Sequence, residues 1–259
     1  MNKKTILITG AASGIGRETA LFFAKKKWFV GIFDVNEDGL KSLSDEIGKE
    51  NCFTQVMEVT DPQSVKTGIE AFAQQTGGKL NVLLNNAGIL KFGRYEKVNL
   101  QDHLKIIDVN VKGCLNCIYH AFEYLKATPD ARIINMSSTS SAYGIPELSV
   151  YSATKHALSA MTEALDIEFE KYGIIVCDIK PPYVKTPLLD NPKEVYSIKK
   201  LGINYGPERV AKTVWKSAHS RKLHRTFGVP QHCLYFLFWL MPFIRRFFIK
   251  TVTISGKAA

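Results

Sequence analysis

Tyr151-Ser-Ala-Thr-Lys155 sets a phenol four residues ahead of an ammonium, and on a helix that spacing puts both side chains on one face. A free tyrosine, with a pKa of about 10, is no base at neutral pH; bringing it to about 7 takes roughly 4 kcal/mol of preferential stabilisation of the phenolate. A cation close by in a partly desolvated cleft can supply much of that. The chemistry so enabled is proton transfer to and from a hydroxyl. Taken alone, YxxxK reads as a solvated helix face. Ser138 changes the reading: it lies 13 residues upstream, at the end of an apolar run, where its hydroxyl can hold a substrate oxygen within reach of the tyrosine. Asn110, in Asp108-Val-Asn110-Val, falls in the middle of a helical pattern. An amide has little reason to be there unless something needs a hydrogen bond; a solvated or capping amide is the alternative.

A second constellation opens the chain. Thr9-Gly10-Ala-Ala-Ser13-Gly14-Ile15-Gly16 follows a short apolar run and leads into a helical pattern. Glycines relieve the sterics of a tight turn and let backbone N–H groups approach a pyrophosphate, to which the helix N-terminus adds partial positive charge. The spacing is GxxxGxG rather than GxGxxG, and any tight turn between strand and helix could use glycines. Asp34 ends the second apolar run, 18 residues past Gly16. A carboxylate there can accept from adenosine ribose hydroxyls and repels a 2′-phosphate. Ser13 and Val35 carry no charge, and Arg17 is the one nearby cation that keeps NADP open, so the expected cofactor is NAD. The alternative for Asp34 is a helix cap ahead of Asn36–Leu40.

These groups need a scaffold. Short β-branched runs at Thr5–Thr9, Phe29–Phe33, Phe53–Val59, Leu80–Leu84, Arg132–Met136 and Ile174–Ile179 alternate with helical patterns near Ile15–Lys26, Glu37–Lys49, Pro62–Gln75, Gln101–Lys126 and Tyr151–Lys171. That alternation predicts right-handed crossovers and a parallel sheet. Near-continuous apolar runs fit strands covered on both faces. Ligands bind beyond the carboxyl ends of such strands, and Gly10, Asp34, Asn85–Gly88, Ser137–Ser138 and Pro181–Thr186 all sit just after one. No repeat or low-complexity linker interrupts the chain, which points to one doubly wound domain.

Composition agrees. The 259 residues are 46% hydrophobic and 22% charged, as in a soluble globular protein. Met1–Lys4 runs into an apolar segment too short for a signal core, and the five cysteines are odd in number; both point to a reducing, cytoplasmic setting. The Cys114–Cys117 pair stands alone and reads as core packing rather than a metal or redox site. The net charge of +10 is uneven: residues 1–190 hold 21 Lys and Arg against 22 Asp and Glu, and residues 191–259 hold 13 against two.

From Lys4 to about Thr186, and more loosely to Ser220, the chain resembles the short-chain dehydrogenase/reductase family. The matching motifs are TGAASGIG at 9–16, NNAG at 85–88, Asn110, Ser138, YSATK at 151–155 and PPYVKT at 181–186. The resemblance implies a Rossmann-like fold of about seven strands and an NAD-dependent (NADP less favoured) dehydrogenase acting on CH–OH groups. Tyr151 would be the general acid/base. Lys155 would lower its pKa and bind the nicotinamide ribose, Ser138 would orient substrate, and Asn110 would hold a water in a relay towards Lys155. Asn86, Ala87 and Gly88 would line the cofactor groove, with Glu58 and Val59 near the adenine. Pro181, Tyr183, Val184 and Thr186 would border the nicotinamide and substrate. Dimers or tetramers are also implied. The chain departs from the family at Pro182, where glycine is usual, and at Glu58, where Asp is more frequent. The second proline fixes φ and removes a donor, which leaves the contacts of Tyr183, Val184 and Thr186 less defined. A non-catalytic NADH sensor is the rival reading; the complete Asn110, Ser138, Tyr151 and Lys155 set argues against it.

Residues 1–229 are expected to form the catalytic domain, with a lid near 187–205 whose Leu188, Leu189, Val195, Tyr196 and Ile198 could cover an apolar molecule. Residues 230–259 form a basic, apolar extension. Its run Cys233–Lys250 is too short and too charged to span a bilayer. It could lie in a membrane interface, pack on a partner subunit or wall off the substrate cleft; nucleic acid is excluded for want of any recognition motif. The charge skew favours the membrane surface, and with it a lipophilic alcohol, aldehyde or ketone as substrate. Arg246 and Lys250 are expected on one helical face, with Phe243, Phe247 and Phe248 on another.

Overall fold

Thr5–Thr9 (β1) is a run of β-branched and leucine residues with all five side chains buried, and it becomes the middle of the sheet. The computed structural model describes residues 3–189 and 196–253. In chain order they form β1, α1 (Gly14–Lys25), β2 (Phe29–Asp34), α2 (Glu37–Ile47), β3 (Cys52–Val56), α3 (Pro62–Thr76), β4 (Val82–Asn85), α4 (Leu100–Ile107), α5 (Gly113–Lys126), β5 (Arg132–Met136), α6 (Ser149–Phe169), β6 (Ile175–Ile179), α7 (Tyr196–Leu201), α8 (Pro207–Ser217), β7 (His224–Arg225), α9 (Gly228–Leu240) and α10 (Ile244–Thr253). The seven strands are all parallel, in the order β3-β2-β1-β4-β5-β6-β7. The order reverses between β1 and β4, which opens a crevice at their carboxyl ends.

Successive residues of a strand point to opposite faces. Ile6 and Ile8 therefore enter a core with Phe23, Leu40 and Val210 beneath α1, α2 and α8. Leu7 enters the other core, with Phe72, Cys117 and Leu158 beneath α3, α5 and α6. Each such side chain contributes about 1.5–3 kcal/mol by leaving water. Helix starts follow local chemistry: Asn36, Asp61 and Asn99 accept from backbone N–H groups of α2, α3 and α4.

The structure differs from the sequence reading in several places. The third strand ends at Val56, not Val59: Met57 N–H makes the last rung to β2, on the Asp34 carbonyl (3.0 Å), and Glu58 N–H then turns to the Ser64 hydroxyl (3.1 Å). That turn swings Glu58 and Val59 off the sheet. The fourth begins at Val82, since Asn81 caps the edge of β1 by accepting from Thr5 N–H (2.9 Å). The single helix expected over Gln101–Lys126 is two helices joined by a π turn, Asp108–Lys112. The sixth helix ends in a 3-10 turn at Tyr172, before left-handed Gly173. The seventh strand, α7 and α8 were not located from sequence. Two residues are too few to show a strand period, and β7 exists only because β6 offers it a partner edge.

Candidate active site

The carboxyl ends of the strands surround a cavity of about 480 Å³. Of the expected site residues, Gly10, Ser13, Gly14, Ile15, Asp34, Glu58, Val59, Asn86, Ala87, Gly88, Ser138, Tyr151, Lys155, Pro181, Tyr183, Val184 and Thr186 line it. Gly16 and Asn110 stand behind its wall. A Cβ on Gly16 would lie 2.1 Å from the Gly10 carbonyl oxygen, so this glycine lets α1 close against the turn.

The turn is built for close backbone approach. Gly10 and Gly14 both have left-handed φ, +65° and +52°. A Cβ on Gly10 would sit 2.9 Å from the Ala87 Cα, and one on Gly14 would meet Thr186 at 3.1 Å. Asn86 ties β4 to the turn by donating from Nδ2 to the carbonyls of Thr9 and Gly10, each at 3.0 Å. The Thr9 hydroxyl accepts from the Asn86 and Ala87 N–H groups (3.1 and 3.0 Å). Ser13 precedes α1 without its side chain capping the helix, so the N-terminal N–H groups and the hydroxyl remain for an anion. Asp34 holds the turn from the other side, Oδ2 accepting from Ala12 N–H and Oδ1 from Asn36 N–H, both at 3.0 Å. It is not the cap of α2; Asn36 is. Arg17 pairs with Glu46 at 2.9 Å and does not line the cavity.

At the cavity's other end α6 presents Tyr151 and Lys155. Lys155 is 4% exposed, donates to the Met136 carbonyl at 2.7 Å and lies 5.4 Å from the centre of the Tyr151 ring. Tyr151 hydrogen-bonds Ser138. Burial disfavours charge on both: it pushes Tyr151 up to about 12, against the lowering effect of Ser138, and pulls Lys155 down to about 8. The expected acidification of the phenol to about 7 is therefore not delivered by the chain alone. Asn110, 1% exposed, sits in the π turn, a device frequent at functional sites. Its Oδ1 accepts from Ile89 N–H (2.8 Å), while Nδ2 donates to the Ile89 carbonyl (3.0 Å) and the Thr154 hydroxyl (3.1 Å). The solvated-amide alternative thus fails: the side chain clamps the loop after β4 to α6.

Sequence reasoning missed Met57, Ile89, Leu90, Val109, Ile145 and Leu148, which supply apolar wall, and Lys105 at the rim. Single apolar residues in loops give no periodic signal; the one hint was that Ile145 and Leu148 stand just ahead of Tyr151. Of the lid, Leu188 and Leu189 line the cavity, Ile198 is buried and the Ser197 hydroxyl meets the Tyr183 hydroxyl at 2.8 Å. Val195 and the rest of 190–195 lie outside the described residues. Cys114 and Cys117 are buried; burial raises both thiols, Cys114 to about 12, as core packing requires. Among the described residues no group of His, Cys, Asp or Glu could hold a metal, and no helix is long and apolar enough to cross a membrane.

Such a crevice at a topological switch point, with a glycine turn at one end and a tyrosine–lysine pair at the other, defines a dinucleotide-binding α/β protein. Residues 4–196 match the short chain dehydrogenase family, and the chain belongs to it. It is 33% identical over 220 residues to the cyclohexanol dehydrogenase of Acinetobacter sp. (strain SE19), covering 82% of this chain and 86% of that one. Among solved structures, a 3-ketoacyl-(acyl-carrier-protein) reductase from Brucella melitensis, complexed with NADH, superposes with a TM-score of 0.78 at 29% identity over 86% of this chain and 95% of that one. ElxO with NADP bound superposes with a TM-score of 0.76 at 28% identity, over 86% and 96%. The chain is accordingly a Rossmann-like member of an oxidoreductase family.

Proposed function

We propose that this protein interconverts a lipophilic primary or secondary alcohol and its aldehyde or ketone with NAD(H), using Tyr151 as general acid/base. The observation that carries the reading is the convergence of Tyr151, Ser138 and Lys155 on one cavity whose far end is the uncapped start of α1. The residues there fit a dinucleotide: Gly10 and Gly14 leave a cradle that a Cβ would fill, the Ser13 hydroxyl and α1 N–H groups suit the pyrophosphate, and Asp34 suits the ribose. When bound, the nicotinamide supplies or takes up the hydride. In alcohol oxidation the Tyr151 oxygen takes the hydroxyl proton as the carbinol C–H is lost; in reduction Tyr151 returns it to the carbonyl oxygen. Ser138 orients that oxygen. Lys155 stabilises the phenolate, and Asn110 fixes the loop bearing Gly88, whose Cβ position lies 3.2 Å from Asn110 Oδ1.

NAD is favoured over NADP because Arg17, the basic residue close in sequence to the turn, is engaged by Glu46 and does not line the cavity. The apolar wall of Ile145, Leu148, Leu188 and Leu189 and the similarity to a cyclohexanol dehydrogenase support an apolar substrate. Self-association is supported by Leu104, Ile107, Leu115, Tyr119 and Ile167, exposed at 43–79% on α4, α5 and α6. A screen of lipophilic alcohols and carbonyls, followed by NADH absorbance with NADPH alongside, tests cofactor and substrate together. Tyr151→Phe is expected to lose at least ~100-fold in turnover while still binding NADH. Wild-type turnover in that variant would sink the mechanism, and silence across the panel would favour a non-catalytic NADH sensor.

A further inference from the structure

α9 turns two unlike faces outward and inward. Inward, Gln231 donates to the Lys180 carbonyl (3.0 Å), Tyr235 to the Thr139 carbonyl (3.4 Å), and Phe238 packs edge-on against Tyr143. Outward, Cys233, Phe236, Leu237 and Leu240 follow one another at i, i+3, i+4 and i+7, and all are exposed. That spacing is the stripe a helix normally buries. Beyond it Phe243 and Phe247 are 75% and 77% exposed, although Phe248 beside them is packed on Phe238. The three phenylalanines expected on one face are thus split, with Phe248 turned in.

Charge decides which partner such a patch fits. Residues 228–253 contain no Asp or Glu. Arg246 and Lys250 are exposed on α10, and Lys199 and Lys200 are exposed on α7, against which α10 packs. A second copy of the chain would set these cations against their own images across a two-fold axis. An anionic headgroup layer would neutralise them while the aromatic rings enter the interface.

We propose that the outward face of α9 and α10 docks this protein on an anionic lipid bilayer. The lid lies one helix behind that face: Lys200 Nζ donates to the Thr251 carbonyl (3.3 Å), and Ser197 of the same helix holds Tyr183 at the cavity. Docking would bring the substrate mouth to the membrane; that consequence rests on the lipophilic-alcohol reading above, whereas docking itself does not.

The test is co-sedimentation of the full chain with vesicles of equimolar phosphatidylglycerol and phosphatidylcholine, and with phosphatidylcholine alone. Strong binding to the anionic vesicles that weakens with salt is expected, with little binding to neutral ones. Each basic residue at such a surface strengthens binding about five-fold, so Arg246→Glu/Lys250→Glu should bind at least ~25-fold more weakly. Phe243→Ser/Phe247→Ser should also lose binding. The four substituted positions, Phe243, Arg246, Phe247 and Lys250, are all exposed, and thermal unfolding matching wild type verifies that each variant is folded. Equal partitioning of wild type into both vesicles, or none into either, overturns the proposal without recourse to any variant. Light scattering showing a smaller assembly for the phenylalanine variant in lipid-free buffer would assign the face to a second copy and overturn it as well. Because no turnover is read, the outcome is independent of the catalytic reading.

Discussion

Replacing Lys155 by Met removes the ammonium while keeping most of the side chain's volume, and it separates electrostatic support of Tyr151 from packing. With 5.4 Å between the ammonium and the phenol ring and an effective dielectric of about 20, the attraction for a phenolate is about 3 kcal/mol. That corresponds to roughly two pKa units. Lys155, its pKa lowered to about 8 by burial, is mostly charged at neutral pH and would deliver this support there. Burial raises Tyr151 to about 12, so the phenol is protonated at neutral pH and its phenolate grows as pH rises. Lys155→Met should therefore move the rising limb of alcohol oxidation about two units to higher pH and slow oxidation near neutrality by roughly 100-fold. Carbonyl reduction, which needs the protonated phenol, should lose less. The assay is NADH absorbance across a pH series in both directions. A thermal melt accompanies it, because the Met136 carbonyl loses its donor, at about 1 kcal/mol. Superimposable pH–rate profiles for wild type and Lys155→Met would refute the reasoning, whatever the absolute rates.

Three further outcomes follow from named contacts. Gly16→Val places carbon 2.1 Å from the Gly10 carbonyl oxygen, so it should lower the melting temperature by several degrees and abolish NADH fluorescence enhancement; retention of both would contradict the packing role given to Gly16. Asp34→Asn removes the charge facing the adenosine end, and KM for NAD should rise at least ~10-fold while the preference against NADP shrinks; an unchanged ratio of the two would remove Asp34 from cofactor choice. Asp178 is fully buried, accepts from Ser159 (2.9 Å) and meets His224 (2.9 Å) and Lys180 (3.6 Å). Asp178→Ala leaves Lys180 as an unpaired buried cation and should cost about 3–5 kcal/mol in denaturant unfolding without altering cofactor affinity.

How much could be read in advance varied with the kind of signal. Thr5–Thr9 and Arg132–Met136 have the same bounds in sequence and structure: both centre on apolar residues covered on the two faces of the sheet, and Asn135 within the second is buried only because Asn85 and Thr162 satisfy it. The motif residues Gly10, Asp34, Ser138, Tyr151 and Lys155 were likewise visible, and the fold brings all five to one cavity. The π turn at Asn110 was not read: one extra residue slips the helical phase at a single point, too brief a departure to stand out from the pattern on either side. β7 escaped for a different reason, since its two residues have strand geometry only through pairing with β6.

What the sequence by itself determined was local: which runs are apolar with period two or 3.6, where glycine relieves a turn, and which side chains can donate, accept or carry charge. Propensity, patterning and side-chain chemistry are properties of a few neighbouring residues, so they survive without a fold. Only tertiary structure decided that Gly16 packs against Gly10 behind the cavity wall, that Arg17 is held by Glu46, and that Phe248 turns in while Phe243 and Phe247 remain outside. It also decided the sign of the Tyr151 shift. Desolvation is set by everything that surrounds the phenol, and the surroundings come from β5, α6 and the loop carrying Tyr183, segments the chain brings together only when it folds.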